Sequence, residues 1–236
     1  MGYDMYVVEP DPGAKEEERE CSNALYGEDG LYRQIRALTE DEADRRQELQ
    51  EKIDKAIHRL DKAQEKTYFR LNIWGMPKCR GVMYERGMLY QSQQPGEWPK
   101  VEDFGFAGPE EFWAEEERIG SAGGESRVPG DPVSRVQEYR IAERRFLSAM
   151  GQERPGIPSH KLASNDGWIV TPIEIQGALR ALRAWAENEA QCAVDPEPLI
   201  AHLMITAEDE GEPLEWWPEW LAFLSTAAQQ GGFAVH

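Results

Sequence analysis

The segment SNDGWIVTPIEIQGAL, residues 164–179, carries the strongest local structural signals in the chain. Asn165, Asp166 and Gly167 tolerate the left-handed backbone conformations of a tight turn. The pattern predicts two short strands joined at this turn, IPSHKLAS before it and WIV after it. Backbone geometry therefore explains most of the polar residues in the segment.

The same segment predicts the start of a helix directly after the second strand. Thr171 fits an N-cap, Pro172 fits the first helical position, and Glu174 closes a capping box with Thr171. The apolar residues that follow recur at spacings of three and four, which is typical of a buried helix face. They are Ile175, Ala178, Leu179, Leu182 and Trp185.

Three further β-rich stretches surround this unit: GYDMYVV at the start, TYFRLNIW at 67–74 and FAV near the end. In the middle stretch Phe69, Leu71 and Ile73 share one apolar face, which we expect to face the core. We expect FAV to lie beside the first strand. Helices are predicted over 14–27, 76–88, 131–150, 197–208 and 213–232. Together these patterns predict one α+β domain over 1–236, predominantly helical, with a small, mostly antiparallel sheet.

Two segments depart from this regular pattern. Residues 39–66 predict a long charged helix with a narrow apolar stripe, which either packs on the domain or projects to pair with a partner helix. Residues 91–131 contain runs rich in glycine, proline and serine, with a short helix between them. We interpret 91–131 as a loop-rich insertion or lid.

The chain has 236 residues and a formal net charge of −18. Phosphate binding needs clustered lysine and arginine, so this charge argues against direct nucleic-acid binding. It also argues against binding to an anionic membrane surface. No stretch has the roughly 18 apolar residues that a membrane span needs.

Much of the negative charge lies at the C-terminal end, because Arg183 is the last lysine or arginine in the chain. The acids after it are Glu187, Glu189, Asp195, Glu197, Glu208, Asp209, Glu210, Glu212, Glu215 and Glu219. Such an asymmetry is typical of a solvated acidic face. It also fits a surface that binds a basic protein partner or imitates DNA.

The cysteines predict a reducing compartment. There are three, Cys21, Cys79 and Cys192, with no CxxC spacing. The N-terminal residues lack the basic flank and apolar core of a signal peptide. We therefore expect the protein to be cytoplasmic.

The sequence offers little evidence of catalysis. None of the four histidines pairs at metal-ligand spacing, and no GxSxG or phosphate-binding glycine loop is present. No cofactor, metal site or catalytic residue is predicted. Cys79, between Lys78 and Arg80, is either a stabilised reactive thiolate or an ordinary thiol.

The eight tryptophans mark the candidate binding sites. One candidate ligand pocket surrounds Trp74, and its residues are Arg70, Asn72, Trp74, Arg80 and Tyr84. A second surrounds Trp168, and its residues are Lys161, Asn165, Asp166 and Trp168. The candidate partner contacts are Trp98, Trp113, Glu208, Asp209, Glu210, Glu212 and Trp216.

The motifs GYDMY, YFRLNIWGM, MYERGM, SNDGWIVTPIEI and WLAFLSTAAQQGGFAV resemble a set of uncharacterised proteins from actinobacteria and their phages. The resemblance covers the start, the middle strand and the last third, and leaves out 91–131. It implies no activity and no site residues. It does imply the context of an intracellular accessory protein, with a phage or mobile element as one source.

Three functions remain open on the sequence alone. The first is a non-enzymatic protein-binding module that uses its acidic C-terminal surface. The second is a small-molecule binder or enzyme with a pocket of tryptophan, arginine and aspartate residues. The third is an acidic DNA mimic. The sequence does not indicate the oligomeric state.

Overall fold

A computed structural model describes residues 2–39, 42–122, 131–149, 155–191, 193, 196–209 and 211–236 of the chain. The strands are β1 (Gly2–Val7), β2 (Tyr68–Asn72), β3 (Leu89–Tyr90), β4 (Ile157–Pro158), β5 (Trp168–Val170), β6 (Glu208–Asp209), β7 (Glu212–Pro213) and β8 (Phe233–Val235). The α-helices are α1 (Pro12–Tyr26), α2 (Leu31–Arg36), α3 (Ala43–Gln64), α4 (Gly75–Glu85), α5 (Pro109–Ala122), α6 (Pro132–Leu147), α7 (Pro172–Gln191), α8 (Pro196–Ile205) and α9 (Trp217–Ala227). Short 3-10 helices cover Val101–Phe104 and Ser159–Leu162.

The main sheet has the strand order β2-β1-β8-β5, and every neighbouring pair is antiparallel. In β1, Met5 lies opposite Phe69 of β2 and Val235 of β8. The C-terminal strand therefore lies beside the first strand, as predicted, and both chain ends meet inside one sheet. The protein is an α+β domain that is mostly helical, which confirms the predicted fold class.

One face of this sheet forms the main core. Alternate residues of its strands point to that face, and residues of α4, α7 and α9 pack against them. Fully buried members include Met5, Phe233, Val235, Trp217, Trp220, Leu224, Ile175, Leu182, Met76 and Met83. Each large apolar side chain buried in this way contributes about 1.5–3 kcal/mol.

The turn and the helix start of the opening segment form as predicted. Gly167 has a φ of +80°, and its N–H donates to the carbonyl of Val235 at 2.8 Å. The Thr171 N–H and hydroxyl both donate to Glu174 Oε2, at 2.7 and 2.9 Å, which is one half of the capping box. The Glu174 N–H contacts Thr171 Oγ1 at 3.5 Å, which is the other half.

The strand predicted immediately before this turn is wrong for most of its length. Only Ile157–Pro158 is a strand, and Ser159–Leu162 is a 3-10 helix closed by the Ala163 N–H donating to His160 O. The 3-10 helix places the Lys161 side chain in the interior. There its ammonium donates to the Ile169 carbonyl of β5 and to the Glu174 carboxylate of α7. A tertiary contact therefore outweighs the local strand pattern.

The prediction that Ile73 faces the core is also wrong. Strand β2 ends at Asn72, whose side-chain oxygen accepts from the backbone N–H groups of Trp74 and Gly75 at 3.0 and 2.7 Å. These bonds turn the chain into α4, as in an Asx turn. Consequently Ile73 is 46% exposed and Trp74 is 73% exposed.

The long charged helix packs along the N-terminal helices. Leu49 and Ile53 of its apolar stripe are buried, and α3 lies against α1 and α2. Arg59 also contacts Glu17 of α1 at 3.4 Å. The Thr39 N–H and hydroxyl bond to Glu42 just before the first turn of α3.

Part of the loop-rich segment 91–131 is ordered around α6. The 3-10 helix Val101–Phe104 and α5 form a small second core with α6. Its buried residues are Val101, Phe106, Phe112, Val136 and Tyr139. Residues 123–130 lie outside the described part of the chain, so the lid interpretation stays a prediction.

Two helical glycines should respond to alanine with opposite signs. A Cβ at Gly81 of α4 meets nothing within 4 Å, so Gly81→Ala should raise the free energy of unfolding by about 0.5–1 kcal/mol. A Cβ at Gly177 of α7 lies 2.6 Å from the backbone nitrogen of Gly156, so Gly177→Ala should lower it by about 1–3 kcal/mol. Urea unfolding of both variants tests this pair. Equal effects of the two substitutions would contradict the packing of α7 on residue 156.

Candidate functional site

The residues of the first predicted pocket are spread over β2 and α4. Arg70 lies on the outer side of the sheet, 3.5 Å from Asp4, and lines a groove of about 620 Å³ with α3 and α9. Asn72, Trp74, Arg80 and Tyr84 do not line that groove. In that groove, Arg70 is therefore not joined by the other four residues of the predicted pocket.

The face of the sheet that carries Arg70 has an aromatic and acidic cluster. The Tyr68 hydroxyl donates to Asp4, and the rings of Tyr6 and Tyr68 are 5.0 Å apart. Burial and the neighbouring Asp4 carboxylate raise the pKa of Tyr68 to about 12. Tyr68 is therefore protonated at neutral pH and acts as a hydrogen-bond donor.

The residues of the second predicted pocket stabilise the turn region. Trp168 is buried, and its ring packs against Trp98 and Phe146 at 6.0 and 5.3 Å. Asn165 Nδ2 donates to the carbonyl of Gly2 at 2.7 Å. Asp166 accepts from the Ser164 hydroxyl at 2.6 Å. The polar groups of this set are thus used within the fold.

Lys161, the remaining member of that set, forms a buried ion pair with Glu174. Their side chains are 0% and 3% exposed, and Lys161 Nζ lies 2.9 and 3.0 Å from the two carboxylate oxygens. Nζ also donates to the carbonyl of Ile169 at 2.7 Å. Burial lowers the pKa of Lys161, and the adjacent Glu174 carboxylate opposes that shift.

A serine and a histidine meet beside this pair. Ser92 Oγ lies 2.9 Å from His160 Nδ1 and 3.4 Å from Ser159 Oγ. Burial first, and the Lys161 charge second, lower the pKa of His160 to about 4, so the ring is neutral near pH 7. His160 Nε2 is buried without a hydrogen-bond partner among the described residues. The pair therefore lacks the orienting group of a catalytic triad. No sequence pattern predicts this contact between distant positions.

Cys79 does not have the environment of a reactive thiolate. Its side chain is fully buried in α4, and burial raises its pKa above the ordinary value for a thiol. The helix points the Cys79 side chain toward the core, where the thiolate would lose its water. The flanking basic residues do not offset the rise in pKa that this loss causes. Of the two interpretations of Cys79, its burial supports the ordinary thiol.

Two of the predicted partner contacts, Trp98 and Trp113, line one cavity of about 350 Å³, which we call the tryptophan cleft. The cleft lies between residues 98–102, α5 and α6, and Phe112 and Tyr139 complete its aromatic walls. Trp98 is half-buried, whereas Trp113 is 61% exposed. Trp113 also lines a second cavity of about 560 Å³, together with Ala107, Gly108, Pro109, Glu110 and Glu111.

Charged groups surround the tryptophan cleft. Arg140 bonds to Glu116 and Glu143, and Lys100 lies 3.3 Å from Glu97. Hydrogen bonds to Glu116 raise the pKa of Arg140, with Glu143 adding to that effect. Glu102 also lines the cleft and is exposed. Both basic groups at the cleft are therefore already engaged by carboxylates.

The remaining predicted partner contacts lie in or near the hairpin that β6 and β7 form. Glu208 and Glu212 are exposed on β6 and β7, and Trp216 is half-buried with its ring 6.3 Å from that of Trp217. Asp209 belongs to β6. Glu210 lies outside the described residues. We call the exposed residues Glu208, Glu212, Glu215 and Glu219 the C-terminal acidic surface.

Arg86 is a cation near this region that the sequence patterns did not reveal. Its guanidinium lies 4.7 Å from the Trp185 ring and 5.1 Å from the Trp217 ring, and it donates to the carbonyl of Leu203 at 2.8 Å. Burial lowers the pKa of Arg86. The residue joins α4, α7, α8 and α9, so it stabilises the scaffold beneath the hairpin.

Among the described residues no cluster of three or more histidine, cysteine, aspartate or glutamate side chains could hold a metal ion. Within the same residues, no helix combines the length and the apolar character that crossing a membrane requires. Comparisons with protein-family models, with curated proteins and with solved structures give no match for this chain.

Proposed function

We propose that the protein is a non-enzymatic accessory protein of the cell interior that binds a basic protein partner through its C-terminal acidic surface. The observation that carries this proposal is the difference in ion pairing between the two ends of the chain. It supports electrostatic attraction and steering of a partner of opposite charge.

Several acids of the N-terminal and middle helices form ion pairs with basic side chains. Examples are Glu16 with Arg19 at 2.6 Å, Glu48 with Lys52 at 2.6 Å, and Glu115 with Arg118 at 2.5 Å. These pairs neutralise local charge and weaken the field that a partner meets.

The C-terminal acidic surface differs, because none of its four carboxylates forms an ion pair within the described part of the chain. Its acids follow one another on β6, β7 and the start of α9, where the half-buried Trp216 also lies. Arg86 beneath the hairpin is held between two indole rings, and Arg70, which lines a groove together with Glu219, pairs with Asp4 instead. A partner with clustered lysine and arginine would supply the missing countercharge.

Charge reversal tests the proposal. The variant Glu208→Lys/Glu212→Lys/Glu215→Lys/Glu219→Lys should bind its partner at least about tenfold more weakly at low salt, because attraction becomes repulsion. Wild-type binding should weaken as salt rises, and binding by the variant should not. Affinity purification, with the partner quantified by mass spectrometry across a salt series, measures both effects.

The matched control reverses four exposed acids elsewhere: Glu20→Lys/Glu28→Lys/Asp44→Lys/Glu51→Lys. It changes the net charge equally but leaves the C-terminal acidic surface intact. An equal loss of affinity in the two variants would show that only the net charge matters. Unchanged affinity in both variants would show that the C-terminal acidic surface does not bind the partner. A DNA-binding protein as the captured partner would favour the DNA-mimic form of the same interaction.

A further inference from the structure

The second core around α5 and α6 repeatedly pairs arginine with aromatic rings. The Arg135 guanidinium lies 4.7 Å from the Phe106 ring, and the Arg140 guanidinium lies 5.1 Å from the Phe112 ring. Trp113 follows Phe112 on the same helix and has the larger and more electron-rich ring. Yet no cation of the described residues lies over Trp113, which is 61% exposed.

The charges at the tryptophan cleft favour a cation from outside the chain. Lys100 and Arg140 are bound to Glu97, Glu116 and Glu143. Glu102 on the cleft rim has no ion pair among the described side chains, and neither has Glu110 of the adjoining cavity. The cleft therefore combines a free indole face with an uncompensated carboxylate.

We propose that the tryptophan cleft binds an arginine side chain of an extended segment in a protein partner. The guanidinium stacks on Trp113 and pairs with the carboxylate of Glu102. Arginine suits this cleft better than lysine, because its planar, weakly hydrated group both stacks on an indole and binds a carboxylate with two N–H donors.

The second cavity extends the contact past a single side chain. This cavity shares Trp113 with the tryptophan cleft and is also lined by Ala107, Gly108 and Pro109. Because these residues are small, they leave room for the residue next to the arginine. Glu110 and Glu111 keep this extension acidic. The contact goes beyond the proposed function, since it lies on a different surface and names the chemistry of one recognised residue.

Fluorescence anisotropy with a labelled peptide of alternating arginine and glycine tests the inference. Trp113→Ala should weaken binding about tenfold, which lies within the range expected for the loss of a cation stacked on an indole. Glu102→Gln should weaken it several-fold. Trp74→Ala is the matched control, because Trp74 is also an exposed indole and should leave the dissociation constant unchanged.

Two further peptides identify the bound group. A citrulline-glycine peptide has the same shape without the charge and should bind much more weakly, and a lysine-glycine peptide should bind with intermediate strength. Equal binding of the citrulline or the lysine peptide would overturn the assignment to arginine. The thermal unfolding midpoint of Trp113→Ala should match wild type, since its side chain is exposed.

The two surfaces can be separated with the same peptides. Loss of binding in Trp113→Ala and Glu102→Gln, with binding retained by the C-terminal charge-reversal variant, supports the tryptophan cleft. Loss only in the charge-reversal variant overturns the cleft and leaves the proposed function standing. Unchanged binding in all three variants overturns the cleft as well, because the peptide then binds at neither surface.

Discussion

Glu174→Gln is expected to lower the free energy of unfolding by about 3–5 kcal/mol, because it leaves the buried ammonium of Lys161 without its counter-charge. Lys161 is 0% exposed, and its hydrogen-bond partners in the described part of the chain are the carbonyl of Ile169 and the carboxylate of Glu174. Glutamine keeps a side-chain oxygen that can accept from the N–H and the hydroxyl of Thr171. Most of the lost free energy of unfolding should therefore come from the ion pair and not from the helix cap. Urea unfolding at pH 7 measures the difference.

The pH dependence of the same variant gives a second readout. Burial lowers the pKa of Lys161 in the folded state, and removal of the carboxylate removes the opposing effect. The unfolded chain then binds a proton that the folded chain releases, so stability rises with pH up to the unfolded pKa of lysine near 10. The deficit of Glu174→Gln should therefore shrink as the pH is raised from 7 to about 10.

Two controls define what would contradict this expectation. Glu48→Gln removes a carboxylate from an exposed pair with Lys52 and should change the free energy of unfolding only slightly, because water screens the pair. The double variant Lys161→Met/Glu174→Gln should recover most of the loss, because no uncompensated charge remains. A Glu174→Gln effect no larger than that of Glu48→Gln would mean that the pair is not buried as described.

Gly232→Ala is expected to destabilise the protein by about 2–5 kcal/mol and to lower its soluble expression. Gly232 has a φ of +90°, where a side chain costs about 1–2 kcal/mol. In addition, a Cβ at this position lies 2.1 Å from the carbonyl oxygen of Val170, so β5 or β8 must shift, at about 1–3 kcal/mol. The Gly232 backbone also accepts from the Val8 N–H at 2.9 Å, which couples the change to the centre of the sheet.

Gly211→Ala separates these two causes. Gly211 has a similar φ of +83°, but a Cβ there meets nothing within 4 Å. This control should therefore lose only the conformational part, about 1–2 kcal/mol. Urea unfolding of the two variants, fitted with the same dependence of the free energy on urea concentration, measures the difference in their free energies of unfolding. Equal losses would show that β5 does not approach residue 232 closely.

The sheet also connects the proposed binding surfaces to one scaffold. Trp168 of β5 packs against Trp98, which is a wall of the tryptophan cleft. On the other side, α9 begins within the C-terminal acidic surface and packs on β2. We therefore expect substitutions that loosen the sheet, such as Gly232→Ala, to weaken binding at both surfaces. Substitutions on either surface should leave stability nearly unchanged.

Local signals of the sequence were sufficient for most elements. The Thr171–Glu174 capping box, the Asn165–Gly167 turn and the alternation over residues 68–72 of β2 depend on neighbouring residues, so the sequence predicts them directly. The place of FAV beside the first strand was also predicted. Trp98 and Trp113 were chosen as candidate partner contacts because they lie in the loop-rich segment 91–131.

The surroundings of the candidate site residues depended on contacts between residues far apart in the chain. Lys161 was predicted as a pocket residue, yet its charge is satisfied by Glu174, which local capping had already explained. Ser92 and His160, and Arg86 with its two tryptophans, are paired only by the packing of separate elements. No sequence periodicity predicts such pairs, because the sequence around each partner is ordinary for the element in which it lies.

The sequence by itself determined the α+β class, the helix caps, the turn at 165–167 and the uneven charge, because these follow from short-range backbone preferences and composition. Only the tertiary structure decided that Ile73 and Trp74 point outward, that Lys161 is enclosed, and that Trp98 and Trp113 share a cleft. The physical reason is that burial is a property of the packed chain. A side chain loses water, gains a counter-charge or stays exposed according to which distant elements meet it.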